Sequence, residues 1–352
     1  MITEQPRTFD SILPAVLPLV PDELIGADFR SRIQTVASRL PAILSSSTFG
    51  FECPLATDRP EADFLVSVSG TRGAALLSET ALYAMQSDSN PVWFSVAELA
   101  ALWAKKGRID NIWLEFDLVG ETPFVPNLFF QPVYEAGNHS ELQNILSHAG
   151  PLLLGQPLSE DLEKTLKRCV DALPERSRIF QVGAMRARPY YGLRLCVDHI
   201  YLDRILFYLE QIEYPGNLDV VRETFIALQR RTDAYALHLD LSPGINARIG
   251  LECYLDPRPA EAHQQMRMQH LLAFLVEQGV CTKRKAFGVS QFSGIADVRQ
   301  YPSEWPVALK NMTNLLGRSS TFQRRLHHIK ITCGDGKNLD AKAYLAANHA
   351  WR

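Results

Sequence analysis

In the stretch INARIGLECYLD (245–256), Arg248, Gly250, Glu252 and Tyr254 alternate with Ile249, Leu251, Cys253 and Leu255. Successive side chains of a strand point to opposite faces, so a cation, a carboxylate and a phenol share one face and hydrocarbon fills the other. That polar face meets either bulk water or a ligand, to which it offers a positive charge, a proton acceptor and a polar ring. The same parity recurs along the chain. Glu52, Glu115, Asp117, Arg194, Asp198, His238, Asp240, Lys330, Lys342 and Tyr344 fall opposite apolar rows such as Phe49/Phe51/Cys53, Ile112/Leu114/Phe116/Leu118, Leu193/Leu195/Val197 and Ile329/Ile331.

Five pairs of alternating runs carry these residues, at 49–70, 111–134, 178–200, 234–256 and 327–349. Each pair is broken by turn residues, such as Gly120 and Pro123 in the second, Ser-Pro-Gly (242–244) in the fourth and GDGKN (334–338) in the fifth, so each reads as a hairpin. Helical periodicity fills the intervals and predicts helices at 95–107, 158–173, 202–212, 218–231, 260–280 and 303–318. The first opens on Ser95 with Glu98 three residues on, a capping-box pattern, and stops at Gly107. The second places acids in its first turn and bases later, as the helix dipole favours. Hairpins and helices alternate throughout with no low-complexity linker, which predicts a single domain over 1–352.

With 46% apolar and 21% charged residues in 352, the composition is that of a globular protein with a sizeable core. A net charge of -3 without a basic run argues against nucleic acid as a partner. The opening MITEQPRTFD lacks the pattern of a secretion signal, and no apolar run approaches the ~20 residues that cross a bilayer. The six cysteines are scattered without a C-x-x-C pair, so buried thiols, a cytoplasmic location and no zinc are expected.

Two layouts satisfy the faces. An open antiparallel sheet would carry helices on one side and leave the polar side in water. A closed α+β barrel would put the helices outside and the polar faces around a lumen. Closure removes both edges of a very wide sheet, and a ten-stranded barrel is wide enough to enclose a ligand. The closed form is the expectation.

Five αββ units with a polar face inside resemble the ABBA-type prenyltransferases. The first hairpin is most similar to that of the cyanobactin (peptide) prenyltransferases, through the small–apolar–Glu alternation Gly50-Phe51-Glu52, a short turn and the run FLVSV (64–68). The resemblance in order and pattern covers 49–349, with 1–48 as an N-terminal extension whose proline-broken ILPAVLPLVPDEL (12–24) would cover a barrel mouth. There is one departure: the basic residue expected early on the second strand is Asp63 here, with Arg59 only in the turn.

The resemblance implies a ten-stranded antiparallel barrel with a polar lumen, which transfers a short isoprenoid (dimethylallyl or geranyl) from its diphosphate to a nucleophilic side chain of a peptide or amino acid. Arg194, Arg248, Lys330 and Lys342 would then hold the diphosphate. Tyr254, Tyr344 and Trp113, with Tyr191 as a further ring, would shield the allyl cation. Glu52 would orient and deprotonate the acceptor. Glu115, Asp117, Asp240, Glu252 and His238 would bind it, and the surplus of carboxylates suits a guanidine or imidazole nitrogen as well as an aromatic ring. Some of these acids can alternatively hold Mg²⁺ on the diphosphate. A different class also fits, a non-catalytic barrel that binds a small molecule or peptide in a biosynthetic complex.

Other features carry less. His327 and His328 are adjacent, so in a regular strand they point to opposite faces. TKRKAF (282–287) reads as a solvated loop, SVSGTRGA (67–74) lacks phosphate-loop spacing, and the methionines of QQMRMQHLLAF (264–274) read as helix core.

Overall fold

The computed structural model describes residues 8–42, 44, 48–86, 88–120, 124–188, 191–255, 261–335 and 339–352. The turns expected at Pro123 and at 336–338, and the helix start expected at Ala260, lie outside these residues. Among them the strands are β1 (Phe49–Pro54), β2 (Asp63–Ser69), β3 (Ile109–Phe116), β4 (Asn127–Pro132), β5 (Arg178–Ala184), β6 (Leu193–Asp198), β7 (Ala234–Ser242), β8 (Gly244–Ile245), β9 (Ile249–Tyr254), β10 (Gly294–Asp297), β11 (Ser320–Cys333) and β12 (Asp340–Trp351). Ten of them close an antiparallel ring in the order β11-β12-β1-β2-β3-β4-β5-β6-β7-β9, and β9 returns to β11. The expected hairpins supply all ten, and β8 and β10 are short additions to β7 and β11.

The helices are α1 (Ala27–Ala37), α2 (Gly73–Met85), α3 (Val92–Lys106), α4 (His139–Leu154), α5 (Glu160–Asp171), α6 (Leu202–Gln211), α7 (Leu218–Gln229), α8 (Glu261–Glu277), α9 (Lys283–Phe292) and α10 (Val307–Leu316). They cover the apolar rows of the strands. Phe49, Phe51, Phe64 and Phe116 form a continuous ring ladder there, and Phe9 of the N-terminal segment adds its ring 5.3 Å from Phe49 and 5.7 Å from Phe64. Phe9 thus backs the wall at β1 and β2, while Gly26 and Arg32 bond the backbone of the first two hairpin turns at Pro60, Leu118 and Gly120.

Several local expectations are corrected. α3 starts three residues before Ser95, because Asn90 accepts the Val92 N–H and Pro91 sets the entry; Ser95 is buried inside the helix. The last helix begins only at Val307, after Pro306, and not at Ser303. TKRKAF is no solvated loop: Thr282 caps α9 by accepting from the Lys285 N–H, and the Lys285 side chain is fully buried. The glycine of SVSGTRGA that opens α2 is a packing residue, since a Cβ on Gly73 would sit 2.0 Å from the Trp103 ring of α3.

Two irregularities shape the lumen. β5 and β11 each carry a bulge, between Ile179 and Gln181 and between Leu326 and His328. Below its bulge β11 pairs with β9 through Ile329–Cys333, whereas above it Thr321–Arg324 pair with β10 instead. Among the described residues, those between these two ladders have no strand partner on that side, which leaves a lateral gap in the described part of the wall.

Candidate active site

Register decides which ionisable groups meet. Arg194 lies directly opposite Asp240, and Lys330 lies opposite both Glu252 and Lys342. Arg194 forks onto Asp240 through Nε at 2.6 Å and a terminal nitrogen at 2.9 Å. Burial opposes this guanidinium, but the facing carboxylate overrides it and holds Arg194 charged. Lys342 and the Tyr344 hydroxyl both donate to Glu52. Burial would raise the Glu52 pKa, yet the charges of Lys342 and Lys330 outweigh it and push Glu52 well below the usual carboxylate range.

These groups line a cavity of about 230 Å³ with Arg188, Arg248, Thr332 and Asp340. All four expected diphosphate ligands, Arg194, Arg248, Lys330 and Lys342, therefore stand around one space, together with Arg188, which sequence parity missed. Arg188 follows β5 in a turn, where no strand periodicity announces it, and forks onto Asp117 at 2.6 and 2.9 Å. Arg248 bonds Thr332 at 2.7 Å and approaches Asp340 at 3.4 Å. Lys330 differs from the other four cations: among the described residues no carboxylate lies within ion-pair distance of it. Burial and the neighbouring Arg194 lower its pKa to about 8. Gly250 makes room for it, because a Cβ there would fall 2.7 Å from Lys330 Cε; this explains the glycine between Arg248 and Glu252.

A second cavity of about 100 Å³ shares Arg194, His238, Lys330 and Tyr344 with the first. Its other lining includes aromatic and acidic groups (Trp113, Phe129, Phe180, Tyr254, His327, His328, Glu115 and Glu252) beside apolar residues such as Leu65 and Leu345. Glu252 accepts from the Tyr254 hydroxyl, and its Oε1 stands 2.8 Å from His238 Nε2 and 3.2 Å from His328 Nε2. Burial and Lys330 lower the His238 pKa to about 4, so this ring is neutral at pH 7 and supports the Glu252 carboxylate as a dipole and not as a cation. The His328 ring stacks on Tyr344 with centroids 4.2 Å apart.

The expected rings Trp113, Tyr254 and Tyr344 thus stand around this cavity, with Phe49, Phe51, Phe129 and Phe180 added. Tyr191 is not part of it, since its hydroxyl donates to the Pro157 carbonyl away from either cavity. Asp117 serves Arg188 and Asn127 instead of lining the space. Phe180 and His327 were hidden by the two bulges, which turn an extra side chain toward the lumen, and the adjacent imidazoles meet at 2.8 Å in place of pointing apart.

Burial, reinforced by the Glu52 charge, raises Glu115 to about 8 and Asp63 to about 7. The Glu115 carboxyl is therefore largely protonated at pH 7. A group whose folded pKa lies above its unfolded value stabilises below the unfolded pKa and loses that contribution as pH rises through the folded one. Glu115→Gln removes this loss. The variant is expected to melt above the parent by about 3–6 °C at pH 8, with the gap closing toward pH 5, in paired thermal melts.

Among the described residues no group of three or more acids, imidazoles or thiols is arranged to hold a metal ion. Glu52 and Asp240 are taken by Lys342 and Arg194, which leaves neither carboxylate free to ligate Mg²⁺. Among the described residues no helix is long and apolar enough to cross a membrane, and the six cysteines are buried and unbridged.

No known family's sequence profile matches the chain, and no curated protein matches it by sequence. Solved structures do match. The apo form of prenyltransferase PriB superposes with a TM-score of 0.53 at 11% identity, covering 96% of this chain and 94% of that one. The 5-dimethylallyl tryptophan synthase from Streptomyces coelicolor in complex with DMASPP and Trp gives 0.52 at 12% identity, over 96% and 93%. A further structure of that synthase gives 0.53 at 12%, over 96% and 95%. At this identity the likeness is one of fold, and the fold of this chain is the ABBA prenyltransferase barrel, ten antiparallel strands with helices around them.

Proposed function

We propose that the protein transfers a dimethylallyl group from its diphosphate to the aromatic ring of an amino acid or peptide side chain. The observation that carries this reading is the convergence of Arg188, Arg194, Arg248, Lys330 and Lys342 on one cavity that opens onto an aromatic one. As the allylic C–O bond breaks, the diphosphate leaves with the electron pair, and cations fixed in advance stabilise that charge. The allyl cation passes among Trp113, Phe129, Phe180, Tyr254 and Tyr344, whose faces stabilise it and exclude water. A ring carbon of the acceptor supplies the new bond's electrons, and the proton it carried is then lost. That proton is strongly acidic, so a carboxylate of low basicity suffices to take it. Glu52 orients the acceptor and, through Lys342 and Tyr344, the leaving group.

The small aromatic cavity favours a five-carbon chain over a geranyl chain. An aromatic acceptor fits better than a guanidine or imidazole, because the lumen carboxylates are paired (Asp240, Glu52), hydrogen-bonded (Glu252) or protonated (Glu115) and attract a cation weakly. The complex of the Streptomyces coelicolor synthase with DMASPP and Trp supports the same pairing of ligands. Incubation with dimethylallyl or geranyl diphosphate and a panel of aromatic amino acids, arginine and histidine peptides is expected to give dimethylallylated aromatic product. Turnover confined to arginine or histidine overturns the choice of acceptor.

The second reading is a non-catalytic barrel, and one observation favours it: four of the five cations already have carboxylate partners. Calorimetry with a non-hydrolysable dimethylallyl thiodiphosphate separates the two readings. Heat of binding with a dissociation constant in the micromolar range is expected of the enzyme, and none of a peptide binder.

A further inference from the structure

The lateral gap left by the β11 bulge opens outward into a vestibule of about 910 Å³, and Tyr254, His327 and His328 line both this vestibule and the aromatic cavity. From the buried side to the open one, three titratable groups stand in a row. Glu252 Oε1 lies 3.2 Å from His328 Nε2, and His328 Nδ1 lies 2.8 Å from His327 Nδ1. His328 Nε2 is buried, and its short contact with Glu252 Oε1 lies off the hydrogen-bond line, so a small turn of either side chain completes that link. His328 is buried, whereas His327 is partly exposed. Regular alternation would have set the two imidazoles on opposite sides of the wall; the bulge brings their nitrogens together across it.

We infer that Glu252, His328 and His327 form a proton exit that carries the acceptor's proton from the aromatic cavity through the wall to water in the vestibule. The inference rests on the prenyl-transfer reading, which requires one proton to leave a closed lumen per turnover. At the start Glu252 is a carboxylate, His328 holds its proton on Nδ1 and donates to His327 Nδ1, and His327 holds its proton on Nε2. The acceptor's C–H electron pair returns to the ring as its proton moves to Glu252. Glu252 passes that proton to His328 Nε2, His328 passes its Nδ1 proton to His327 Nδ1, and His327 releases its Nε2 proton to water. No charge accumulates, and both rings end in the opposite tautomer; reverse hops restore the starting one between turnovers, with His327 Nε2 taking a proton from vestibule water and Glu252 handing one to water admitted to the lumen as product leaves. Burial, helped by the neighbouring His328, lowers the His327 pKa to about 4, so His327 starts neutral at pH 7, as the relay needs. His238, on the other side of Glu252, leads nowhere: its Nδ1 is buried without a hydrogen-bond partner and it does not line the vestibule.

Two measurements on the full chain test this. The first is kinetic. With dimethylallyl diphosphate and the aromatic acceptor that turns over, His327→Phe is expected to lower kcat about tenfold. A solvent deuterium isotope effect absent from the parent should appear, donor and acceptor binding should stay within about twofold, and millimolar imidazole should restore turnover. An unchanged kcat, or a loss that imidazole does not relieve, overturns the exit. The second needs no turnover. Nitrogen-15 spectra of histidine-labelled protein are expected to show one protonated and one bare Nδ1 sharing a proton, and that signature should vanish in His327→Phe. Two independent rings overturn the proposal even in an active enzyme. A coupled pair in a protein that prenylates nothing would leave the wire standing while overturning the function assigned to the barrel.

Discussion

Lys330→Met is expected to weaken binding of dimethylallyl thiodiphosphate about 100-fold, whereas Arg248→Met weakens it less than about tenfold. Arg188, Arg194 and Lys342 already face Asp117, Asp240 and Glu52, so part of their field is cancelled before any ligand arrives. Lys330 is buried and has no such partner among the described residues. An incoming diphosphate has no direct ion pair to displace there, since the Glu52 and Glu252 carboxylates act on Lys330 only from beyond contact distance. Losing one member of a buried, hydrogen-bonded charge pair costs about 2–5 kcal/mol, and about 1.4 kcal/mol is a factor of ten. Arg248 stands at the open side with its side chain 39% exposed, where water screens the charge. Titration calorimetry reads both constants. The same side chain sets a pH dependence. Its lowered pKa of about 8 means that Lys330 is charged below that pH and neutral above it. Donor affinity should hold at pH 7 and fall as pH rises through 8, and the fall should be missing in Lys330→Met. A flat profile in the parent would show that Lys330 does not face the donor.

Glu52→Gln should cut kcat by about two to three orders of magnitude while leaving donor affinity unweakened. Glutamine keeps the shape and can still receive the Tyr344 hydroxyl, so the barrel survives. What disappears is the negative charge that holds Lys342 and faces the cation formed during transfer. The charge matters most once positive charge has developed in the lumen, so its loss falls on the chemical step and not on ground-state binding. Losing an anion beside the diphosphate favours donor binding and losing the anchor of Lys342 disfavours it, so the two changes offset. Parallel losses in thiodiphosphate affinity and single-turnover rate would instead make Glu52 a structural prop for the donor pocket.

The barrel was legible in the sequence because period-two alternation survives wherever a strand is regular. Arg194, Asp240, Arg248, Glu252, Lys330, Lys342 and Tyr344 sit on the face that parity assigned them. Parity fails at a bulge, which inserts one residue and re-aims it. Phe180 and His327 were lost for that reason, and the two histidines were set on opposite faces. Arg188 lies in a turn, beyond the reach of any period. Phe129 was masked by its apolar neighbour Phe130, because two phenylalanines in a row hide which one points inward. Helices α1, α2, α4 and α9 escaped because much of their length is apolar or weakly patterned, and tertiary packing such as Gly73 against Trp103 fixes them. Pair geometry was beyond sequence altogether. That Arg194 faces Asp240 depends on register, and that Glu115 is protonated depends on how dry the lumen is.

Glu52 belongs to the first strand of the ring, and Lys342 and Tyr344 to the last, 290 and 292 residues further on. During synthesis the N-terminal strands leave the ribosome long before their partners exist, and contacts of such sequence separation form slowly. Until the C-terminal hairpin zips onto β1, the nascent chain has neither a lumen nor Lys330 and Lys342 to grip a pyrophosphoryl group. On the proposed function, an allylic donor would therefore be gripped only once the ring has closed, and a stop anywhere before residue 342 would leave a chain unable to hold it.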